Sequence, residues 1–289
     1  MGQAERMDGR VVVLTGASSG IGAAAAVELA ELGATVVPIG RSEHRLAAVA
    51  ERVEAAGGKA GETEVADLSS LEQVRALAER LLARHPRIDV LANNAGTVAP
   101  RRPLTPEGHG KTFAVNHLAP FLLTNLLLDR LRASAPARIV VTASVEHRKG
   151  SIDPLTLEQD ERSWRPMSAY RNSKLANVLF TRELARRLHG SGVVANCLHP
   201  GGVQTELGRE LPLLMKLGWK LISRSFITPQ EGARTLVYLA SATELGEVSG
   251  EYFANCRPAR TSPQASDETL ARALWLQSER LVALQTRSE

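Results

Sequence analysis

Tyr170 and Lys174 stand four residues apart in Tyr-Arg-Asn-Ser-Lys, inside a stretch whose pattern predicts a helix over 167–188. Four residues is about one helical turn, so both side chains leave the same face. An ammonium beside a partly buried phenol favours the phenolate and lowers the tyrosine pKa from its ordinary value of about 10. A tyrosine so tuned can give a proton to a developing alkoxide near neutral pH, or take one from an alcohol. The spacing alone is common on surface helices, where the tyrosine simply packs and the lysine is solvated. Here it comes with a glycine-rich turn, a serine (Ser144) at a strand end and an asparagine (Asn116) in an apolar helical run. Together they point to hydride-transfer chemistry.

The elements that must place these groups alternate along the chain. Short β-branched runs predict strands at 11–14, 35–39, 61–65 (weaker), 88–92, 138–142, 193–198 and 251–254. Helical patterns fall at 21–32, 43–56, 71–84, 105–112, 114–131, 167–188 and 267–284. Strands apolar throughout, each followed by a helix, argue for a parallel sheet covered on both faces. With right-handed crossovers this is an α/β, Rossmann-type doubly wound sheet of about seven strands, in a single domain spanning the chain.

After the first strand comes Thr15-Gly16-Ala17-Ser18-Ser19-Gly20-Ile21-Gly22. Glycines let the backbone turn tightly and approach a pyrophosphate, which the following helix N-terminus then holds. A tight turn with nothing bound is the plain alternative, and the strand–loop–helix context argues against it. The second strand ends Gly40-Arg41-Ser42, where an acid would select NAD. A guanidinium there suits the 2′-phosphate of NADP, so NADP(H) is expected over NAD(H). Read plainly, Arg41 is a solvated strand-end charge. Asp67, after the third strand, is either an acceptor for an adenine amino group or the N-cap of the next helix. Asn93-Asn94-Ala95-Gly96 closes the next strand, where it can line a cofactor or satisfy backbone groups.

Composition narrows the classes. The net charge of +4 comes from arginines spread along the chain, with no basic run and no interleaved aromatics, which speaks against nucleic acid. Two cysteines, Cys197 and Cys256, suit a reducing compartment and have no metal-ligand spacing. The first ten residues lack the apolar core of a signal peptide, and no apolar run reaches the roughly 18 residues of a membrane span. The expectation is a cytoplasmic protein with no membrane span. Residues 208–226 are strongly apolar with interspersed Lys216, Lys220 and Arg224. They are read as a lid over a lipophilic substrate, the alternatives being a packed helix or a membrane-surface helix. His117, His147 and His199 are assigned no chemistry.

Jointly, the Thr15–Gly22 loop, Asp67, Asn93 to Gly96, Asn116, Ser144, Tyr170, Lys174 and Pro200-Gly201 resemble the short-chain dehydrogenase/reductase family over about 8–284. Val115-Asn116-His117-Leu118, Ser173-Lys174-Leu175-Ala176-Asn177 and His199-Pro200-Gly201-Gly202-Val203 are similar to its retinol dehydrogenase-like branch. The resemblance implies that Tyr170 is the general acid/base and that Lys174 lowers its pKa and binds the nicotinamide ribose. Ser144 would polarise the substrate carbonyl, and Asn116 would hold a water linked to Lys174. Cofactor contacts follow from Gly16, Ser18, Ser19, Gly20, Ile21 and Gly22 in the loop. Asp67 and Asn93 would flank the adenosine half and Val203 and Thr205 would lie near the nicotinamide carboxamide, with Leu68, Ala95, Gly96, Pro200 and Gly201 as further cofactor contacts. The family usually has Ser-Ser where this chain has Ala143-Ser144. The implied function is an NADP(H)-dependent interconversion of an apolar aldehyde or ketone and its alcohol. The alternatives are a C=C reductase of the same fold and an NADP-binding sensor without turnover. A homo-oligomer, dimer or tetramer, through the helices around Asn116 and Tyr170 is expected by analogy.

Overall fold

The computed structural model describes residues 4–154, 157, 164–202 and 227–283. Val-, Ile- and Leu-rich runs form one sheet: β1 (Val11–Thr15), β2 (Thr35–Gly40), β3 (Lys59–Ala60), β4 (Glu64–Val65), β5 (Val90–Asn93), β6 (Ala137–Thr142), β7 (Val193–His199), β8 (Tyr252–Ala254) and β9 (Arg257–Pro258). The order is β3-β2-β1-β5-β6-β7-β8-β9, with β4 also paired to β2. Every pairing is parallel except β8 with β9. The expected doubly wound sheet is present, with nine strands instead of about seven. The extra ones come from β9 and from the weak third strand, which splits into two short pieces.

The helices are α1 (Gly20–Glu31), α2 (Glu43–Ala55), α3 (Leu71–Arg84), α4 (Lys111–Phe113), α5 (Ala119–Ala133), α6 (Pro166–Arg187), α7 (Pro229–Ser241) and α8 (Glu268–Leu281). A π turn, Ala114–Leu118, joins α4 to α5. Alternation along β1 shows how both faces are covered. Val13 packs with Leu77, Phe121, Leu179 and Trp275 from α3, α5, α6 and α8. Val12 and Leu14 pack with Leu29, Leu46 and Leu236 from α1, α2 and α7. Burying both faces is what makes these strands apolar at every position.

One expectation is corrected and one element is new. The segment 105–112 is mostly not helical: Leu104 and Gly110 form an antiparallel bridge, and helix begins only at Lys111. Pro106 and Gly108, the latter at φ +87°, turn the chain before a helix can start. Helix α7 was not anticipated from the sequence. The proposed lid, 208–226, with its membrane-surface alternative, lies outside the described residues, as do Val203 and Thr205. Among the described residues no helix is long and apolar enough to cross a membrane, and no cluster could hold a metal ion. Both cysteines are unpaired, and burial pushes the Cys197 thiol in β7 up to about 12.

Candidate active site

The sheet changes direction between β1 and β5, and ligands of such sheets bind beyond the carboxyl ends of the strands at that point. The predicted groups gather there. Gly16 has φ +67°, and a side chain on it would stand 2.8 Å from Ala95 Cα. A side chain on Gly22 would come within 2.1 Å of the Gly16 carbonyl. Only glycine lets the loop fold back onto α1 this closely. Asn94 locks the loop from β5: its Nδ2 donates to the carbonyls of Thr15 (3.1 Å) and Gly16 (3.4 Å). Thr15 Oγ1 accepts from the backbone N–H of Asn94 and of Ala95.

At α1 the N-cap Ser19 makes no side-chain cap, and the first turn carries no acidic residue. Its N–H groups and positive dipole end therefore meet no built-in carboxylate. Helix α3 is the contrast. There Glu107 takes the amide of Leu71 at 2.6 Å, and Ser70 caps Gln73. A dinucleotide pyrophosphate fits the first terminus and is excluded from the second. The glycine cradle and open helix end suit the pyrophosphate of a dinucleotide.

The remaining cofactor candidates differ in where they point. Ile21 and Leu68 are buried, while Ser18 reaches the end of β2, with its Oγ 3.1 Å from a side chain built on Gly40. Arg41 follows directly, exposed, with no hydrogen-bond or ion-pair partner among the described residues. Asp67 is not the N-cap of α3, which is Ser70; its Oδ1 instead accepts from Ser69 N–H at 3.0 Å. Asn93 turns its side chain into the core, donating to Thr124 Oγ1 at 3.0 Å. The structure thus makes Asn94, absent from the sequence-predicted set, the asparagine that holds the phosphate loop. Pro200 and Gly201 follow β7, and Gly201 packs against Ile227.

The chemical groups converge from β6, the π turn and α6. Ala143 is buried in the core, with its N–H bonded to the Leu198 carbonyl, so Ser144 is the first side chain free to face the cleft. Its Oγ accepts from Glu146 N–H at 3.2 Å and starts a 3₁₀ turn, Val145–Lys149. That turn is pinned to α6 by Arg171 donating to Glu146 at 2.7 Å and by Asn172 accepting from Ser151. This fixes Ser144 against α6, close enough to Tyr170 to oppose the rise in its pKa.

Lys174 is 2% exposed, and its Nζ donates to the Thr142 carbonyl at 2.8 Å. Nζ lies 5.7 Å from the Tyr170 ring centroid. Asn116 is wholly buried in the π turn. Its Nδ2 donates to Thr97 O and Ser173 Oγ, and its Oδ1 accepts from Thr97 N–H. Gly96 fronts both groups: a side chain there would stand 3.4 Å from Lys174 Nζ and 3.6 Å from Asn116 Oδ1.

The titration of the pair differs from the sequence expectation. Burial pushes Tyr170 above its ordinary value; the Ser144 bond opposes this and Glu146 adds to it. Burial in turn lowers Lys174 to about 8.

A sequence model described as short chain dehydrogenase matches residues 10–213. The chain belongs to the short-chain dehydrogenase family. Retinol dehydrogenase 14 of Homo sapiens is 46% identical over 297 residues, covering 96% of this chain and 88% of that protein. Among solved structures, a protein from Mycobacterium paratuberculosis superposes with TM-score 0.78 at 35% identity, covering 98% of each chain. A Beutenbergia cavernae chain with NADP bound at low occupancy superposes with TM-score 0.71 at 33% identity, covering 86% of this chain and 96% of that one. As a short-chain dehydrogenase, the protein is an oxidoreductase acting on alcohol and carbonyl groups.

Proposed function

We propose that this short-chain dehydrogenase uses NADP(H) to interconvert an apolar aldehyde or ketone and its alcohol. The carrying observation is the pairing of Tyr170 with the buried Lys174, whose Nζ lies 5.7 Å from the phenol ring, at the end of β6 where Ser144 follows. The similarity to retinol dehydrogenase 14 supports an apolar substrate. Exposed Arg41 directly after β2, together with the NADP-bound structural neighbour, supports the phosphorylated cofactor. When bound, the nicotinamide supplies or accepts the hydride.

The chain's own groups handle the proton. The Tyr170 hydroxyl donates to the carbonyl oxygen as negative charge develops there, and recovers the proton when the alcohol is oxidised. The Ser144 hydroxyl donates a second hydrogen bond to the same oxygen. The Lys174 ammonium favours the phenolate that Tyr170 becomes. Gly16 to Gly22 and the α1 terminus hold the pyrophosphate. Two free cysteines fit a reducing compartment, and the proposed setting is the cytoplasm.

The test is NADPH oxidation with a panel of apolar aldehydes and ketones, wild type beside Tyr170→Phe. The proton donor's loss is expected to lower kcat by about 10²–10⁴-fold with NADPH still bound. Wild-type turnover that survives in Tyr170→Phe would refute the assignment.

A further inference from the structure

Behind Lys174 lies a line of buried polar groups that the reaction itself does not use. The Thr142 carbonyl that holds Lys174 Nζ also accepts from Asn177 Nδ2 at 3.3 Å. Asn177 sits on α6, one turn after the lysine, and is 1% exposed. Next to it is His117 of the π turn, wholly buried among Phe113, Phe121 and Phe180. Its Nε2 is 2.8 Å from Ser278 Oγ, also wholly buried, on the C-terminal helix α8. Neither His117 Nδ1 nor Asn177 Oδ1 reaches good hydrogen-bond geometry with any described atom. Asn177 is nevertheless the side chain that acts on the ring as a hydrogen-bond partner. Burial holds the imidazole neutral, with a pKa near 4, so it carries one proton.

Two arrangements of that proton are possible. With it on Nε2, the ring donates to Ser278 Oγ, whose own proton goes to the Leu274 carbonyl 2.8 Å away. Nδ1 and Asn177 Oδ1, both acceptors, are then left without a donor in a dry place. Turning the Asn177 amide only moves the conflict to the Thr142 carbonyl. With the proton on Nδ1, His117 donates to Asn177 Oδ1 and accepts from the Ser278 hydroxyl. Every donor then points toward the active site: Ser278 to His117, His117 to Asn177, Asn177 to Thr142 O. Ser278 gives up its bond to Leu274 O, a carbonyl that the helix ladder can serve.

We propose that Ser278, His117 and Asn177 form a buried hydrogen-bonded strut, with the His117 proton on Nδ1, through which the C-terminal helix sets the position of the Lys174 ammonium. They are positioning residues and touch neither substrate nor cofactor. The value of the strut to catalysis rests on the reading of Lys174 as the active-site lysine; its existence does not. Helix α8 is well placed to anchor it. Its end is held by His109 Nε2 at the Leu281 carbonyl (3.2 Å) and by Arg75 donating to the Val282 carbonyl.

The experiment has two arms on the full chain. In the first, nitrogen NMR of histidine-labelled wild type reads the His117 tautomer, assigned by loss of its signals in His117→Gln. An Nδ1-protonated ring is expected; an Nε2-protonated ring overturns the proposal. In the second, Ser278→Ala is compared with wild type in NADPH-dependent turnover and in thermal unfolding. Loss of one buried bond should lower kcat about two- to tenfold while the KM for NADPH holds. Reduced unfolding temperature with unchanged kcat would show mere structural support and overturn it. A wild type that turns over no carbonyl would instead refute the reductase reading, leaving the tautomer to decide the strut.

Discussion

Burial moves Tyr170 up and Lys174 down, so each side chain is driven toward its neutral form by the same desolvation. For carbonyl reduction the sense of each proton matters. Tyr170 must hold its proton, which its raised pKa secures through neutral pH. Lys174 must stay charged, and it loses its proton as pH rises through about 8. Reduction measured as kcat/KM, which reports the free enzyme, is therefore expected to fall as pH climbs past about 8. A pH–rate profile flat well beyond that value would contradict the lysine assignment. Arg41 makes a separate prediction. It is exposed and unpaired among the described residues, so Arg41→Ala should raise the KM for NADPH and leave that for NADH nearly unchanged. An exposed charge-assisted pair to phosphate is worth about 1.5–3 kcal/mol, or roughly ten- to a hundredfold in KM. Steady-state kinetics with both cofactors decides it. The proximity of Tyr170 and Lys174 and the strand-end position of Ser144 were readable from spacing, because a helix turn and a strand end have fixed geometry. Their pKa directions were not, since these depend on burial, which no local pattern reveals.

Most helices and strands were legible because their apolar periods are strong. The failures are instructive. Helix α7 was missed although Thr228 and Glu231 form a full capping box and Pro229 opens its first turn. Its buried face, including Ala233, Leu236 and Val237, follows directly on the apolar 208–226 run, so no change in hydrophobicity marks its start. The π turn at Asn116 was illegible in principle. It is set by three hydrogen bonds from Asn116 to Thr97 and Ser173, partners 19 and 57 residues away. Helix α8 shows how an element far along the chain can finish a core. Trp275 stacks on Phe180 at 5.8 Å and meets Phe121 edge-on at 4.9 Å, with the Arg187 guanidinium 4.2 Å over its ring. Trp275→Ala should destabilise the fold by about 3–5 kcal/mol, measured by urea unfolding, because the cavity cannot close between three rigid neighbours.

Across the whole molecule, a buried ionic cluster sits at the end of the strands opposite the chemistry. Beyond the carboxyl ends are the glycine loop, Ser144 and Pro200. At the amino ends, buried Asp89 takes Arg10 and Arg87 at 2.7 Å and the Val11 amide at 2.9 Å. The sequence showed the sheet class but not this polarity of use, since Asp89 lies 79 residues from Arg10. Any homo-oligomer built on the helices around Asn116 and Tyr170 must also reckon with α8, whose Trp275 already fills the seam between Phe121 and Phe180.

Cys197 gives the sheet a clock. It lies in β7 between β6 and β8, fully shielded, with a thiol held protonated to about pH 12. Alkylating reagents need the thiolate, so the folded chain protects this sulfur twice, by access and by charge. Cys256 lies nearer the surface and serves as the internal reference. The rate at which Cys197 becomes labelled then records how often the centre of the sheet opens, in an unmodified protein and without any introduced probe.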